Sequence, residues 1–184
     1  MALTLIKEDG TGKVDANSYA SVVDCDAYHD GHLYATAWTG AAADQKAAAL
    51  VMATRLIDAE YQFNGTRTNA AQALQWPRAL CPDPDSYHEP LSVLMPMPSD
   101  YVRYDTVPKA VLQATCEMAR ELLIVDRTAA PAGEGLKYEN VGPNQTGYDK
   151  TDRRPVLSQV AQAMLAKYGA LFSAKSGVVR LVRV

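Results

Sequence analysis

Proline placement constrains this chain more than any other feature. Five of its ten prolines fall between Pro82 and Pro98, in CPDPDSYHEPLSVLMPMP. Proline lacks the amide proton a helix interior needs and clashes with the preceding turn, so regular helix is excluded there. Residues 81–106 are therefore expected as a long extended loop, with helical segments on either side. Loops of that length inside compact domains commonly carry function.

The flanking segments read as helices. Asn17 and Ser18 are expected N-caps for a helix over Tyr19 to His29, with Tyr19, Val22, Val23 and Ala27 facing the core. A stronger helix follows Thr39-Gly40. There Leu50, Ala53, Ile57 and Tyr61 recur at helical spacing beside Met52, Leu56, Ala59 and Phe63, and Arg55, Asp58 and Gln62 form the wet face. Gly65 closes it, and Asn69 to Leu74 is expected as a short helical turn stopped by Pro77.

A third helix opens at Thr106 with Pro108 in its first turn. Val111, Thr115, Met118, Leu122 and Val125 make its stripe, flanked by Leu112, Cys116, Ala119 and Leu123; Lys109, Gln113, Glu117 and Arg120 face outward. The Gly/Pro-rich segment 129–151 contains KYENV, which reads as a strand. Asp152 and Pro155 start a last helix carrying Leu157, Ala161, Met164, Tyr168 and Leu171. At the N-terminus, ALTLIKE runs into Asp9-Gly10-Thr11-Gly12 and predicts a short strand and hairpin. The expected fold is mainly α: a small helical bundle with an N-terminal β-hairpin, the proline-rich loop and an extended C-terminal strand or tail. Residues 1–172 form the domain and 173–184 the tail.

That tail, SGVVRLVRV, has the branched residues of a strand, whose free backbone groups need a partner edge. One available partner is the chain's own Lys137 to Val141; the other is a different subunit. Charge is unevenly spread. Residues 153–184 hold six basic side chains (Arg153, Arg154, Lys167, Lys175, Arg180, Arg183) and no acid, on a chain of net charge -3. A basic end on an acidic body can seek an acidic protein surface or a nucleic acid, or can simply solvate a helix. No apolar run approaches the roughly 20 residues a membrane span needs. The N-terminus lacks secretory-signal character, which places the chain in the cytoplasm where it is made. Cys25, Cys81 and Cys116 are distant and odd in number, so buried reduced thiols are expected.

Chemistry-bearing motifs are few. GTGK at 10–13 lacks the upstream glycine and following Ser/Thr of a phosphate loop and reads as a turn. Asp24, Asp26, His29 and His32 share a helix end, but no further ligand cluster accompanies them, and they read as a solvated end rather than a metal site. No catalytic signature is present, so no enzyme activity, cofactor or metal is expected.

The most specific segment is QALQWPRA at 72–79, with Trp76, Pro77 and Arg78 preceded by Gly65-Thr66-Arg67. It is accompanied by EDGTG (8–12), ANSY with Tyr19, DAYH (26–29), Trp38 before Thr39-Gly40, AALVMATRLID (48–58) and VPKAV (107–111). In this order the motifs resemble a tailed-phage family of DnaT-like single-stranded-DNA-binding proteins, whose members are similar to the helical head–tail connector, or adaptor, proteins below the portal. The resemblance runs from about residue 5 to residue 125, and weakly again at RRPVL and the Arg-Leu-Val-Arg ending.

It implies a non-enzymatic virion protein, commonly a dodecameric ring. The ring's partners would be the portal, neighbouring copies, and a tail or second connector protein, with DNA passing through its channel and no membrane contact. It further implies that Val178, Val179, Arg180, Leu181, Val182, Arg183 and Val184 dock as a strand on the portal or a neighbour. The alternative is single-stranded-DNA binding of the primosomal DnaT type. Read from the residues alone, Trp76 is a buried anchor for the turn after the second helix, with Arg78 pairing to a nearby carboxylate.

Overall fold

A computed structural model describes residues 3–86, 100–129, 138–141, 144–147 and 155–172. Its elements are α1 (Val22–His29), α2 (Thr36–Thr39), α3 (Ala43–Glu60), β1 (Tyr61–Phe63), β2 (Thr66–Arg67), β3 (Arg78–Ala79), α4 (Lys109–Ile124), β4 (Tyr138–Val141), β5 (Asn144–Gly147), α5 (Gln159–Leu165) and β6 (Gly169–Leu171). The chain is mainly helical, with short antiparallel strand pairs at its margins.

The central element is α4, which packs against α3, α5, α1 and α2. Being surrounded explains why it departs from a one-stripe helix. Val111, Thr115, Cys116, Met118 and Ala119 are buried as the periodicity predicts, but Glu117 and Arg120, expected to face out, are buried too. They enter together, Arg120 Nη2 donating to Glu117 Oε1 at 2.5 Å, which is how a charge is tolerated inside. On α3, Leu50, Ala53 and Ile57 are fully buried as read, with Tyr61 and Phe63 continuing the face into β1.

The first helix is shorter than expected. Its N-cap is Ser21, whose hydroxyl accepts from the Asp24 amide while Asp24 reaches back to the Ser21 backbone. Asn17 is used elsewhere: its side chain bridges the Ile6 amide and the Thr4 carbonyl. Starting at Val22 changes which face is inward. Cys25 and His29 are buried, whereas Val23 is 76% exposed and Ala27 is also exposed. The last helix is likewise displaced, starting after Ser158, whose side chain accepts from the Ala161 amide. Leu157, Ala161 and Tyr168 are buried as read, but Leu171 lies on β6, not on a helix.

That strand explains the end of the described core. β6 pairs antiparallel with β1, Tyr61 opposite Leu171 and Phe63 opposite Gly169. Gly169 is required, because a Cβ there would strike the Gln62 carbonyl. β2 and β3 form a second pair across Thr66–Ala79 and Arg67–Arg78. Within KYENV, Tyr138–Val141 form the expected strand, β4, which pairs with β5. Both ends of the 81–106 segment are pinned where Pro82 bridges Tyr101 and the Val102 amide bonds the Cys81 carbonyl. Its centre lies outside the described residues, as does the whole 173–184 tail with Val178–Val184.

Among the described residues no N-terminal hairpin forms. Lys7 instead bridges Ser18 in parallel, and the intervening loop wraps around one side chain. Among the described residues no helix is long and apolar enough to cross a membrane.

Candidate functional site

Arg78, which follows Trp76 and Pro77, lines a cleft of about 390 Å³ beside the C-terminal end of α3, together with Asp58, Tyr61, Phe63, Gln75 and Phe172 among others. Segment 69–77 forms turns rather than the expected helix, because a buried glutamine organises it. Gln72 Oε1 accepts from the Thr68 and Asn69 amides, and its Nε2 donates to the carbonyls of Leu74 and Pro77. The Trp76–Pro77 peptide is cis. Trp76 is fully buried, edge-on to Phe63 and Tyr168 at 5.5 and 5.8 Å.

Arg78 is mostly buried and does not pair with a carboxylate as expected. Its guanidinium donates to the carbonyls of Asn64 (2.7 Å), Gly65 (2.6 Å) and Gln75 (3.2 Å), and to Gln75 Oε1. The fork geometry of arginine lets one side chain close three turns of backbone at once. Beneath it, Asp58 is not a wet residue. Its Oδ1 accepts from the Tyr19 hydroxyl at 2.5 Å and its Oδ2 from the Gln75 amide at 3.0 Å. Tyr19, fully buried, accepts in turn from the amides of Gln75 and Trp76. Burial pushes the Asp58 carboxyl up to about 6 even though these hydrogen bonds oppose the shift. Burial also pushes the Tyr19 phenol well up, reinforced by the neighbouring carboxylate.

EDGTGK forms a second self-contained polar site. Glu8 is fully buried, and its carboxylate accepts from the amides of Gly10 (2.9 Å), Gly12 (2.9 Å) and Lys13 (2.8 Å). Successive amides in a glycine-rich turn make an anion-binding nest. Here the anion is the chain's own carboxylate, so the motif closes on itself. Gly10 has φ 102, the left-handed region that favours glycine, and a Cβ there would strike the Asp105 carbonyl.

The acid–histidine group on α1 is not a solvated helix end. Asp24 caps α1 and pairs with Lys7 at 2.8 Å. Asp26 accepts from Trp38 Nε1 and Lys46 Nζ, both at 2.8 Å, which holds its carboxyl below the ordinary range. His29 is buried against Trp38, with its ring nitrogen Nε2 3.2 Å from the Cys116 carbonyl. Burial lowers its pKa, favouring the neutral ring. His32 lies 3.7 Å from Glu117. Among the described residues no group of three or more His, Cys, Asp or Glu is placed to hold a metal ion. Trp38 is fully buried beneath Lys46. The cysteines correct the expectation of three free thiols. Cys25 and Cys116 form a disulfide joining α1 to α4, and only Cys81 is free. A spacing of 91 residues gave no local sign of the pair.

Most cations of the described body are already engaged. Lys13 pairs with Asp9, Arg103 with Asp105, Arg120 and Arg127 with Glu121, and Lys167 with Asp85, in addition to those above. Exposed apolar side chains occur on several elements: Leu33 (89%) and Tyr34 (76%) before α2, Leu80 (65%) after β3, Tyr104 and Phe172.

A family model described as "Putative DnaT-like ssDNA binding protein" matches residues 3–184. The chain belongs to that family. No curated protein matches it, and no solved structure does. Within this DnaT-like family member, Tyr19, Trp38, Trp76, Pro77 and Arg78 are structural: the first three are fully buried and the others close the turn. The side chains that sequence reasoning missed are Glu8, Asp58, Gln72 and Glu117. Only Glu8 carried a signal, a carboxylate two residues ahead of a Gly-x-Gly.

Proposed function

We propose that this DnaT-like family member is a structural head–tail connector of a tailed phage. Copies associate as a ring below the portal and present a platform to the tail or a second connector, while DNA passes through without sequence-specific binding. Val178–Val184 are its docking strand on the portal or a neighbouring subunit, and its place is the neck of the particle.

The observation carrying this reading is how charge is used in the described body. Lys7, Lys13, Lys46, Arg103, Arg120, Arg127 and Lys167 are paired with carboxylates, and Arg78 with carbonyls. A single-stranded-DNA track needs cations free to displace counterions, together with aromatic platforms. A described body in which most cations are already paired favours protein contacts. The exposed apolar residues lie on separate elements, which suits a ring subunit that meets two different neighbours through two different surfaces. A tail strand forming a few hydrogen bonds of roughly 0.5–1.5 kcal/mol each binds weakly alone, but a ring of tails binds with avidity.

The second reading, single-stranded-DNA binding, is favoured directly by the family description and by the basic residues of 153–184. Two measurements separate them. Removing residues 177–184 is expected to abolish portal binding with unchanged thermal stability; a large fall in melting temperature would instead make the tail part of its own fold. Under the DNA-binding reading, affinity for an oligonucleotide should be measurable near physiological salt and fall steeply with added salt.

A further inference from the structure

The α1–α4 cross-link has properties that go beyond holding two helices together. Cys25 and Cys116 are both fully buried, with their Cα atoms 5.2 Å apart, inside the ordinary span of a disulfide. They close a loop spanning 91 residues that contains α2, α3 and both short strands of the Trp76 region. On the α1 side, the tied segment carries the most exposed large apolar residues among those described, Val23, Leu33 and Tyr34. The same segment reaches α4 through other contacts that do not depend on the bond: His29 on the Cys116 carbonyl and His32 beside Glu117. These contacts join the segment to α4 independently of the bond, which adds a covalent constraint to them.

We propose that Cys25–Cys116 is a redox-set latch, which fixes the α1–α2 segment, with its solvent-facing Val23, Leu33 and Tyr34, against α4 when the chain is oxidised and leaves that segment free to open locally when it is reduced. The oxidant class is a small-molecule disulfide such as oxidised glutathione. One cysteine thiolate attacks it, forming a mixed disulfide and releasing one glutathione thiolate. The second cysteine thiolate then attacks the protein sulfur of the mixed disulfide, releasing the other. Two protein thiols are oxidised, two electrons pass to the glutathione disulfide, and the two thiol protons end on the released glutathione. Because both sulfurs are buried, exchange in either direction requires α1 to lift from α4. The finished bond is thus shielded from reductant in the native chain. This inference is independent of whether the partner of the chain is a portal or DNA.

The test uses the full chain equilibrated in glutathione buffers from reducing to oxidising, then unfolded and alkylated for mass spectrometry. The oxidised chain should carry one alkyl group, on Cys81, and the reduced chain three. Oxidation should raise the melting temperature by roughly 5–15 °C, given the loop closed. It should slow amide exchange across residues 22–39 by roughly tenfold or more, leaving β1 and β6 unchanged. Cys81→Ser should preserve both effects. Three alkylated cysteines in oxidising buffer, bonding through Cys81, or a bond that changes neither melting nor exchange would each overturn the proposal.

Discussion

Trp38 and Trp76 are both fully buried, yet their surroundings are built from different interactions. Around Trp76 the backbone leaves regular structure, and polar side chains replace the missing ladder: Gln72, Arg78 and Tyr19 each satisfy several main-chain groups at once, and Asp58 satisfies the Gln75 amide while holding the Tyr19 hydroxyl. Around Trp38 the backbone is helical and satisfies itself, so the side chains are released for contacts between elements. These are Asp26 to the indole, Lys46 over the ring, His29 tilted against it, and the Cys25–Cys116 bond. Irregular backbone consumes polar side chains, whereas regular backbone frees them for tertiary links. The marker residues Tyr19, Trp76, Pro77 and Arg78 cluster where the backbone is most irregular, and for that reason they report architecture rather than chemistry.

Breaking the Trp76 layer should have the largest effect. Trp76→Ala removes a fully buried indole packed on Phe63 and Tyr168, and is expected to cost about 3–5 kcal/mol in denaturant unfolding. Arg78→Ala strands the carbonyls of Asn64, Gly65 and Gln75 and should cost about 2–4 kcal/mol, with Arg78→Lys rescuing only part because an ammonium cannot span the fork. Equal stability of the alanine and lysine variants would show that the fork is not what closes the turn.

The two layers should also respond to acid with opposite signs. Asp58 titrates near 6 when folded and near 3.8 when unfolded, so between those values the folded state holds a proton the unfolded state lacks. Its contribution to stability is therefore gained as pH falls from 6 toward 4, by about 2–3 kcal/mol, and is absent above. His29 is the reverse: with its folded pKa below 6.5, its contribution is fully present above that pH and is lost as pH falls through the folded value. Urea titrations between pH 4 and 7 should show wild type gaining on Asp58→Asn toward acid and losing to His29→Gln. A common sign for both variants would remove the distinction between the layers.

The smallest expected effect is Asp26→Asn. Its carboxylate is half exposed and solvent screens the Lys46 pair, so the loss should be about 0.5–1 kcal/mol, reduced further by added salt.

The helices of the core were legible because α3 and α4 carry long apolar repeats, and Leu50, Ile57, Val111 and Met118 sit where periodicity puts them. Periodicity failed at α1, whose single turn of difference in cap position rotates Val23 outward and His29 inward. It failed again on α4, since a helix enclosed on several sides must bury polar positions, and sequence alone does not show that Glu117 and Arg120 are enclosed together. Leu171 was misplaced on a helix because three residues of β6 are too few to show a period of two. Of the candidate site, Trp76 and Arg78 were visible as residues, but Arg78's carbonyl partners are main-chain atoms, which no side-chain pattern encodes. The proposed docking residues Val178–Val184 lie beyond the described residues and rest on the sequence resemblance.

The measurement that tests the connector proposal most directly is quantitative mass spectrometry of purified virus particles from the source of this gene, counting copies of this chain against the portal. The account predicts the chain in the particle at close to one copy per portal subunit. Absence from particles despite strong expression during infection, joined by salt-sensitive binding to single-stranded DNA, would contradict it and assign the chain the role its family description names.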